Sequence, residues 1–444
     1  MSREPHMSTA VLETEARPTT RAESVLSAGP ASPEQAEAWE NFERLPMPKR
    51  TDETWRFANL KLLDLAPFAA PLPVDESARE ELLSRSLGLE SAAGKMVFAN
   101  DQLLTRNVLS DTLRQKGVIW LSLEQAASEH PELFRKHFMR EEAILGGQKF
   151  AALHRSQVRA GTFLYVPRGV EIDLPVESFH WLHGSGGSCF PHTLIIAEEM
   201  AKVTVVDHFQ SADPTAPGLA CGVNDLWLGA GANVTYICDQ AWSSTALATQ
   251  INATVVGRDA SAKVLNLNLG GAYARSESVS HLRGSGGRSD MLAITVAQGA
   301  QEFDHRTFQI HEVANTASDL LYKNSLDDRA RTIFSGLIRV DPGAHRTDAY
   351  QKVRNLLLSD EAEANSAPGL EIEADDVRCT HGATSGQIDG EELFYLLSRG
   401  ISRKAAQRLI VFGFLNEVLE RLPDAAIRNY LSGLLRAKFA LPAF

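Results

Sequence analysis

Cysteine is scarce in this chain: four in 444 residues, too few for a disulfide framework and in keeping with a reducing compartment. Positive charge is also in deficit. The 44 Lys and Arg face 56 Asp and Glu, a net charge of −12, which excludes a general nucleic-acid binder with a basic footprint for phosphates. No apolar run approaches the ~18 residues of a membrane span, and the opening MSREPHMSTAVLETEARPTT holds no apolar core of a secretory signal. The phosphate-loop pattern GxxxxGK(S/T) and the nucleophile elbow are both missing. Two glycine-rich pieces, Gly184-Ser185-Gly186-Gly187 and Gly284-Ser285-Gly286-Gly287, lack the strand–loop–helix frame that aims amides at a phosphate, and read as turns. The expectation is an acidic cytoplasmic protein with no nucleotide of its own and no contact with nucleic acid or membrane.

What is present supports a sizeable folded core: 44% of residues are hydrophobic and 23% charged. Residues 1–31, rich in Ala, Glu, Thr, Ser and Pro, show no apolar period and read as a disordered tail. Ser32, Pro33 and Gln35 form a helix-start signal with a capping box, followed at helical spacing by Ala38, Trp39, Phe42 and Leu45. A second helix is expected from Asp75 to a stop at Gly88, with Leu82, Leu83 and Leu87 inward. With β-like runs at 96–98 and 118–121, residues 32–159 read as an α+β cap. From 160 to 387 helical periodicity gives way to short strands bounded by Gly, Pro, Asp and Asn. Residues 388–444 are helical again, with starts at Asp389 and Ser402 and a break at Pro423-Asp424.

The strand region repeats itself. Ala201-Lys202-Val203, Ala232-Asn233-Val234 and Ala262-Lys263-Val264 share a small–polar–Val start, and Ser289-Asp290-Met291 and Ala317-Ser318-Asp319 follow it loosely. A period near 30 residues predicts a right-handed parallel β-helix, a β-solenoid whose coils bury each other's faces. A β-sandwich is the competing fold, since it also gives closely spaced strands. The solenoid's last coil, around 377–381, should present an open strand edge, which invites pairing with another chain.

Two patterns carry metal-ligating side chains. His180, His183, Cys189 and His192 have the right donor types for zinc or iron but no standard spacing, and the alternative is loop polarity around a buried thiol. Cys379-Thr380-His381 lies on a strand, where residues two apart share a face, so thiol and imidazole could address one ion. The setting of the second pattern is distinctive: Val377-Arg378-Cys379-Thr380-His381-Gly382-Ala383-Thr384-Ser385-Gly386-Gln387-Ile388-Asp389, then Leu393-Phe394-Tyr395-Leu396, with Lys323-Asn324 and Asn355-Leu356-Leu357-Leu358-Ser359 upstream.

These residues resemble the C-terminal signature of the SufB/SufD family, the β-helical subunits of the SUF iron–sulfur cluster assembly machine. The resemblance extends over roughly residues 40–444. Within the family the SufB branch carries a cluster-assembly cysteine directly after Phe-Tyr, where this chain has Leu396. The SufD branch has the Cys-x-His-Gly-Ala-Thr run, which Cys379 through Thr384 match. One departure is Leu153-His154, where the family leads one to expect Leu-Asn. The resemblance implies a non-enzymatic scaffold that pairs with SufB and with the SufC ATPase in a SufBC2D complex, or pairs with itself as a homodimer. It also implies that His381, assisted by Cys379, meets iron or a nascent Fe–S cluster shared transiently with SufB. A SufB-like primary scaffold, a solenoid polysaccharide-active enzyme and a zinc enzyme on the His180–His192 pattern are the alternatives. The helix from Arg403 to Arg421 is expected to dock SufC, since its run 409–415, which holds Leu409, Ile410, Phe412, Gly413 and Phe414 and has no polar side chain, covers every face of two helical turns, with Phe412 and Phe414 outward; the alternative is a helix buried in a compact C-terminal bundle.

Overall fold

The computed structural model describes residues 24–25 and 32–441. Most of the expected disordered tail lies outside them. Its two described residues are held in place: Ser24 bridges Ala69, and the Val25 amide donates to the Phe68 carbonyl at 2.9 Å with its side chain fully buried.

Helices α1 (Pro33–Arg44), α2 (Glu76–Arg85), α3 (Asp111–Gln115), α4 (Leu123–Glu129), α5 (Pro131–His137) and α6 (Gln148–Gln157) accompany strands β1 (Gly94–Ala99), β2 (Gln102–Arg106) and β3 (Ile119–Ser122). Ser32 caps α1 by accepting from the Gln35 amide, but the Gln35 side chain reaches the Val158 carbonyl instead of closing a capping box. In α2 Leu82 is buried as expected, whereas Leu87 lies beyond the helix end and is exposed.

A continuous run of strands follows: β4 (Thr162–Val166), β5 (Val176–Leu182), β6 (Ser188–Cys189), β7 (His192–Ala197), β8 (Lys202–Ser211), β9 (Leu219–Leu228) and β10 (Asn233–Ala241). It continues through β11 (Leu247–Val256), β12 (Ser261–Asn268), β13 (Tyr273–Leu282), β14 (Arg288–Ala297), β15 (Glu302–His311) and β16 (Ala317–Leu326). It ends with β17 (Arg331–Val340), β18 (Asp348–Leu357), β19 (Glu363–Ile372) and β20 (Arg378–Gln387). The chain alternates between two sheets. One has the order β2-β1-β5-β8-β10-β12-β14-β16-β18-β20, the other β19-β17-β15-β13-β11-β9-β7-β4-β3. From β5 onward every ladder is parallel, so each strand stacks on the one a full coil earlier. This is a β-solenoid, a parallel β-helix, and not an antiparallel sandwich.

Lys202, Asn233, Ser261, Arg288, Ala317, Asp348 and Arg378 stand in register down the first sheet. Ala232 therefore aligns with Ala260, not with Ala262 as the sequence pattern reads. Side-chain direction repeats every two residues, so that two-residue slip preserves the faces and escapes detection in the sequence. One corner of each coil is built on a left-handed backbone position. Met200, Gly231, Asp259, Gly286, Asn315, Arg346 and Asp376 all have φ between 54° and 78°. The Gly231 amide donates to the Arg258 carbonyl and the Gly286 amide to the Asn315 carbonyl. The second glycine-rich piece is thus one tight corner in a stack of corners.

The outer face of each sheet is covered over the earlier coils. On the second sheet, Phe42, Trp55, Phe150 and Leu153 of the N-terminal region pack with Cys221 and Leu247. Arg275 anchors this layer: fully buried, it meets Glu277 at 2.7 Å, Asp304 at 2.5 Å and the Thr54 and Leu145 carbonyls, with Trp55 stacked 3.7 Å from its guanidinium. On the first sheet lie α8 (Arg403–Leu419) and α9 (Ala425–Lys438), preceded by α7 (Gly390–Ser398). Val411, Leu415, Val418, Leu431 and Leu435 press onto Val206, Ile237, Leu265, Leu292 and Leu321. No described helix is long and apolar enough to cross a membrane.

Candidate functional site

The last coil is unlike the rest. β19 and β20 each close the end of a sheet, and neither contains a fully buried residue. Along β18 the odd-numbered residues Ala349, Gln351, Val353 and Asn355 are buried and face the interior. Their in-register partners on β20 are Cys379, His381, Ala383 and Ser385. Asn355 confirms the direction, since its Nδ2 donates to Ser385 Oγ at 3.1 Å and to Ser366 Oγ of β19 at 3.2 Å. Cys379 and His381 therefore share the inward face of a coil that no further coil covers.

The two differ in environment. Cys379 is half-buried against Ile338, Val340, Ala344 and Ala349. That burial, reinforced by the Asp348 carboxylate, pushes its thiol above the ordinary range and keeps it protonated. His381 is exposed. Packing accounts for Cys379 as it stands, and His381 is the accessible donor. Among the described residues no three His, Cys, Asp or Glu side chains gather as a metal-binding group, and the pair on the inward face of the last coil is Cys379 and His381.

The His180–His192 pattern does not converge. His180, on the first sheet, stacks on Phe98 with ring centroids 5.0 Å apart, and burial pushes its pKa down to about 3. Cys189 is buried in the apolar interior, its thiol pushed far up by burial. His192, on the second sheet, meets Asp225 at 3.3 Å and His154 at 3.0 Å, and His154 Nδ1 lies 2.7 Å from the Cys221 carbonyl. The unexpected His154 is thus the inner partner of a buried histidine pair, held neutral first by burial and then by His192.

The C-terminal helices also depart from expectation. Phe412 and Phe414 are half-buried on this chain's own surface, not outward. Phe414 lies over Lys323, whose Nζ donates to the Phe414 carbonyl at 2.7 Å and pairs with Glu417, while Arg436 covers Phe412. Leu409 and Ile410 are likewise half-buried, and only Gly413 of the expected set is exposed, with nothing within 4 Å of where a Cβ would sit. The free apolar surface is on α7, which has no buried residue although it carries Leu393, Phe394, Tyr395, Leu396 and Leu397. Phe394 is 71% and Tyr395 56% exposed. Five consecutive apolar residues on a nine-residue helix are its signal in the sequence. Asp389, two residues after β20 ends, caps α7 by accepting from the Glu391 and Glu392 amides, so the exposed helix is chained directly to the Cys379–His381 strand.

Known proteins are similar to this chain in sequence along most of its length. Residues 180–414 match the family model described as SUF system FeS cluster assembly, SufBD core domain, and residues 27–177 match the SufBD protein N-terminal region. The chain is 31% identical over 409 residues to the iron-sulfur cluster assembly protein SufD of Bacillus subtilis, covering 90% of this chain and 92% of that protein. It is 27% identical to an iron-sulfur cluster assembly SufBD family protein of Synechocystis, covering 87% and 86%, and 26% identical to one of Staphylococcus aureus, covering 86% and 83%.

Proposed function

The chain belongs to the SufBD family of SUF-system iron–sulfur cluster assembly proteins, and from that premise we propose that it is the SufD-like, non-catalytic scaffold of a complex with SufB and the SufC ATPase. The observation that carries this reading is the open last coil, with His381 and Cys379 on its uncovered inward face. An unpaired strand edge is a template for a second chain. SufB, or a second copy of this chain, would extend the solenoid across β19 and β20 and place its own donors beside His381. Imidazole suits iron, and the incomplete donor set leaves room for ligands from the other side. Iron and the nascent cluster are cargo, held while they are built and then passed on. Cys379 contributes once pairing or metal approach lowers the cost of its thiolate.

SufC docks on α7 and the exposed rim of α8 around Gly413. Movement of that helix pair on nucleotide binding reaches β20 through the short link at 388–389. The test is anaerobic reconstitution of the complex with iron and sulfide, followed by visible absorption. His381→Ala should leave assembly of the subunits intact and abolish most cluster formation; cluster formation at the normal rate would refute the assignment.

A further inference from the structure

Directly beneath His381 the solenoid interior holds polar groups that no described residue satisfies. Gln351 is the residue in register with His381 one strand below, about 4.8 Å away along the ladder. The residue is 2% exposed, and among the described residues neither its Oε1 nor its Nε2 has a hydrogen-bond partner. Across the interior from it stands Gly336 of β17. A Cβ at that position would collide with Gln351 Nε2, lie 2.5 Å from the Phe334 ring and lie 2.7 Å from Thr307 Oγ1. Thr307 Oγ1 is also buried without a partner. The missing side chain at Gly336 thus makes room for a long amide to cross the lumen just under the open coil. Buried amides are nearly always paired, so one that its own chain leaves unpaired is open to a partner from outside it. An apolar residue of the same length would fill this space without leaving polar atoms unsatisfied.

We propose that Gln351 is a positioning residue for the cluster built at His381, its amide N–H aimed at a sulfide of the nascent cluster. This rests on the reading of His381 given above. Hydrogen bonds to cluster sulfides stabilise the reduced, more negative state and raise the reduction potential. Gln351 then acts as the floor of the site, while His381 on the next rung supplies a ligand from the rim.

The experiment uses the full complex reconstituted anaerobically with ferrous iron and sulfide, comparing wild type, Gln351→Met, Gly336→Ala and His381→Ala. Met keeps the length of Gln without its donors, and Ala at 336 displaces the amide from its place across the lumen. Gln351→Met should leave thermal stability unchanged or raised, slow cluster formation several-fold, and shift the potential of the cluster that does form to more negative values. Gly336→Ala should reproduce the slowing and serves as the test if the Met variant fails to fold. Wild-type rate and potential in Gln351→Met, with His381→Ala still deficient, would overturn the role of Gln351 alone. A His381→Ala complex that also builds clusters normally would overturn the His381 reading beneath it.

Discussion

The two ends of the solenoid are built on opposite principles. At the first coils each sheet is closed by an antiparallel strand, β2 on β1 and β3 on β4, with α2 packed over β1 and β2 through Leu82. β5 and β7 there are buried along their whole length. At the last coil β19 and β20 are the ends of their sheets among the described residues; β20 is almost wholly exposed, and β19 is partly exposed with no buried residue. Stacked coils bury one another, so a terminal coil needs a cap to be stable alone. The first end carries its cap in the same chain; the second is left uncovered among the described residues, and the candidate metal donors sit there.

The comparison can be broken most forcefully at the closed end. Arg275→Ala removes the cation buried between Glu277 and Asp304 and the platform under Trp55. Glu277 then loses its buried cation while Asp304 keeps Arg306 at 2.6 Å, so the chain should be destabilised by about 3 kcal/mol, read as a lowered denaturant midpoint. A loss below ~1 kcal/mol would mean that the N-terminal layer is not tied to the solenoid through this group.

A pH effect comes next, from the covered face of the first sheet. Burial alone would push His208 down, but Asp239 at 2.5 Å and Glu177 at 3.2 Å outweigh it and raise its pKa to about 9, with Tyr430 of α9 also in contact. A histidine held above its ordinary 6.5 contributes stability that is fully present below that value and is lost as pH rises through about 9. Thermal melts should therefore show α9 docking weaken between these values, and His208→Phe should flatten that slope. Buried His305 and His311 work in the opposite sense: burial lowers both to about 4, so their contribution is lost as pH falls from 6.5 toward 4.

At the open end the expected effects move from stability to partnership. Phe394→Asp on α7 should change stability by no more than ~0.5 kcal/mol, because the side chain touches little of its own chain. The same substitution should abolish capture of the ATPase. Leu415→Asp, at a fully buried position of α8, should instead unfold the C-terminal layer. Smallest of all, His381→Ala should leave the denaturant midpoint of the isolated chain unchanged within ~0.5 kcal/mol while removing cluster formation in the complex. If His381→Ala destabilised the chain alone, the open coil would be structural and not a docking edge.

Much of the solenoid was legible because its signals are local and repeated. The small–polar–Val starts fall on β8, β10 and β12, and the turn residues recur at one corner of each coil. Register was less legible, as the Ala232–Ala262 reading illustrates, because a two-residue slip costs nothing in face pattern. The Cys379–His381 strand was legible as a motif, and alternation correctly set both residues on one face. What could not be read locally was coverage. The run 409–415 looked surplus because the sheet beneath it, α9 beside it and Lys323 under Phe414 all come from elsewhere in the sequence. The shorter α7 looked ordinary until the structure left Phe394 and Tyr395 uncovered. The Gln351–Gly336 pairing was invisible for the same reason, since it joins opposite sheets across the lumen.

The most direct test of the central claim is hydrogen–deuterium exchange of this chain, alone and mixed with SufB. The account predicts rapid exchange across β19 and β20 in the isolated chain and marked protection of residues 363–387 in the mixture, with β5 and β7 slow in both. Unchanged exchange at 363–387, with protection appearing instead on another face, would contradict the claim that the open coil is where this scaffold meets its partner.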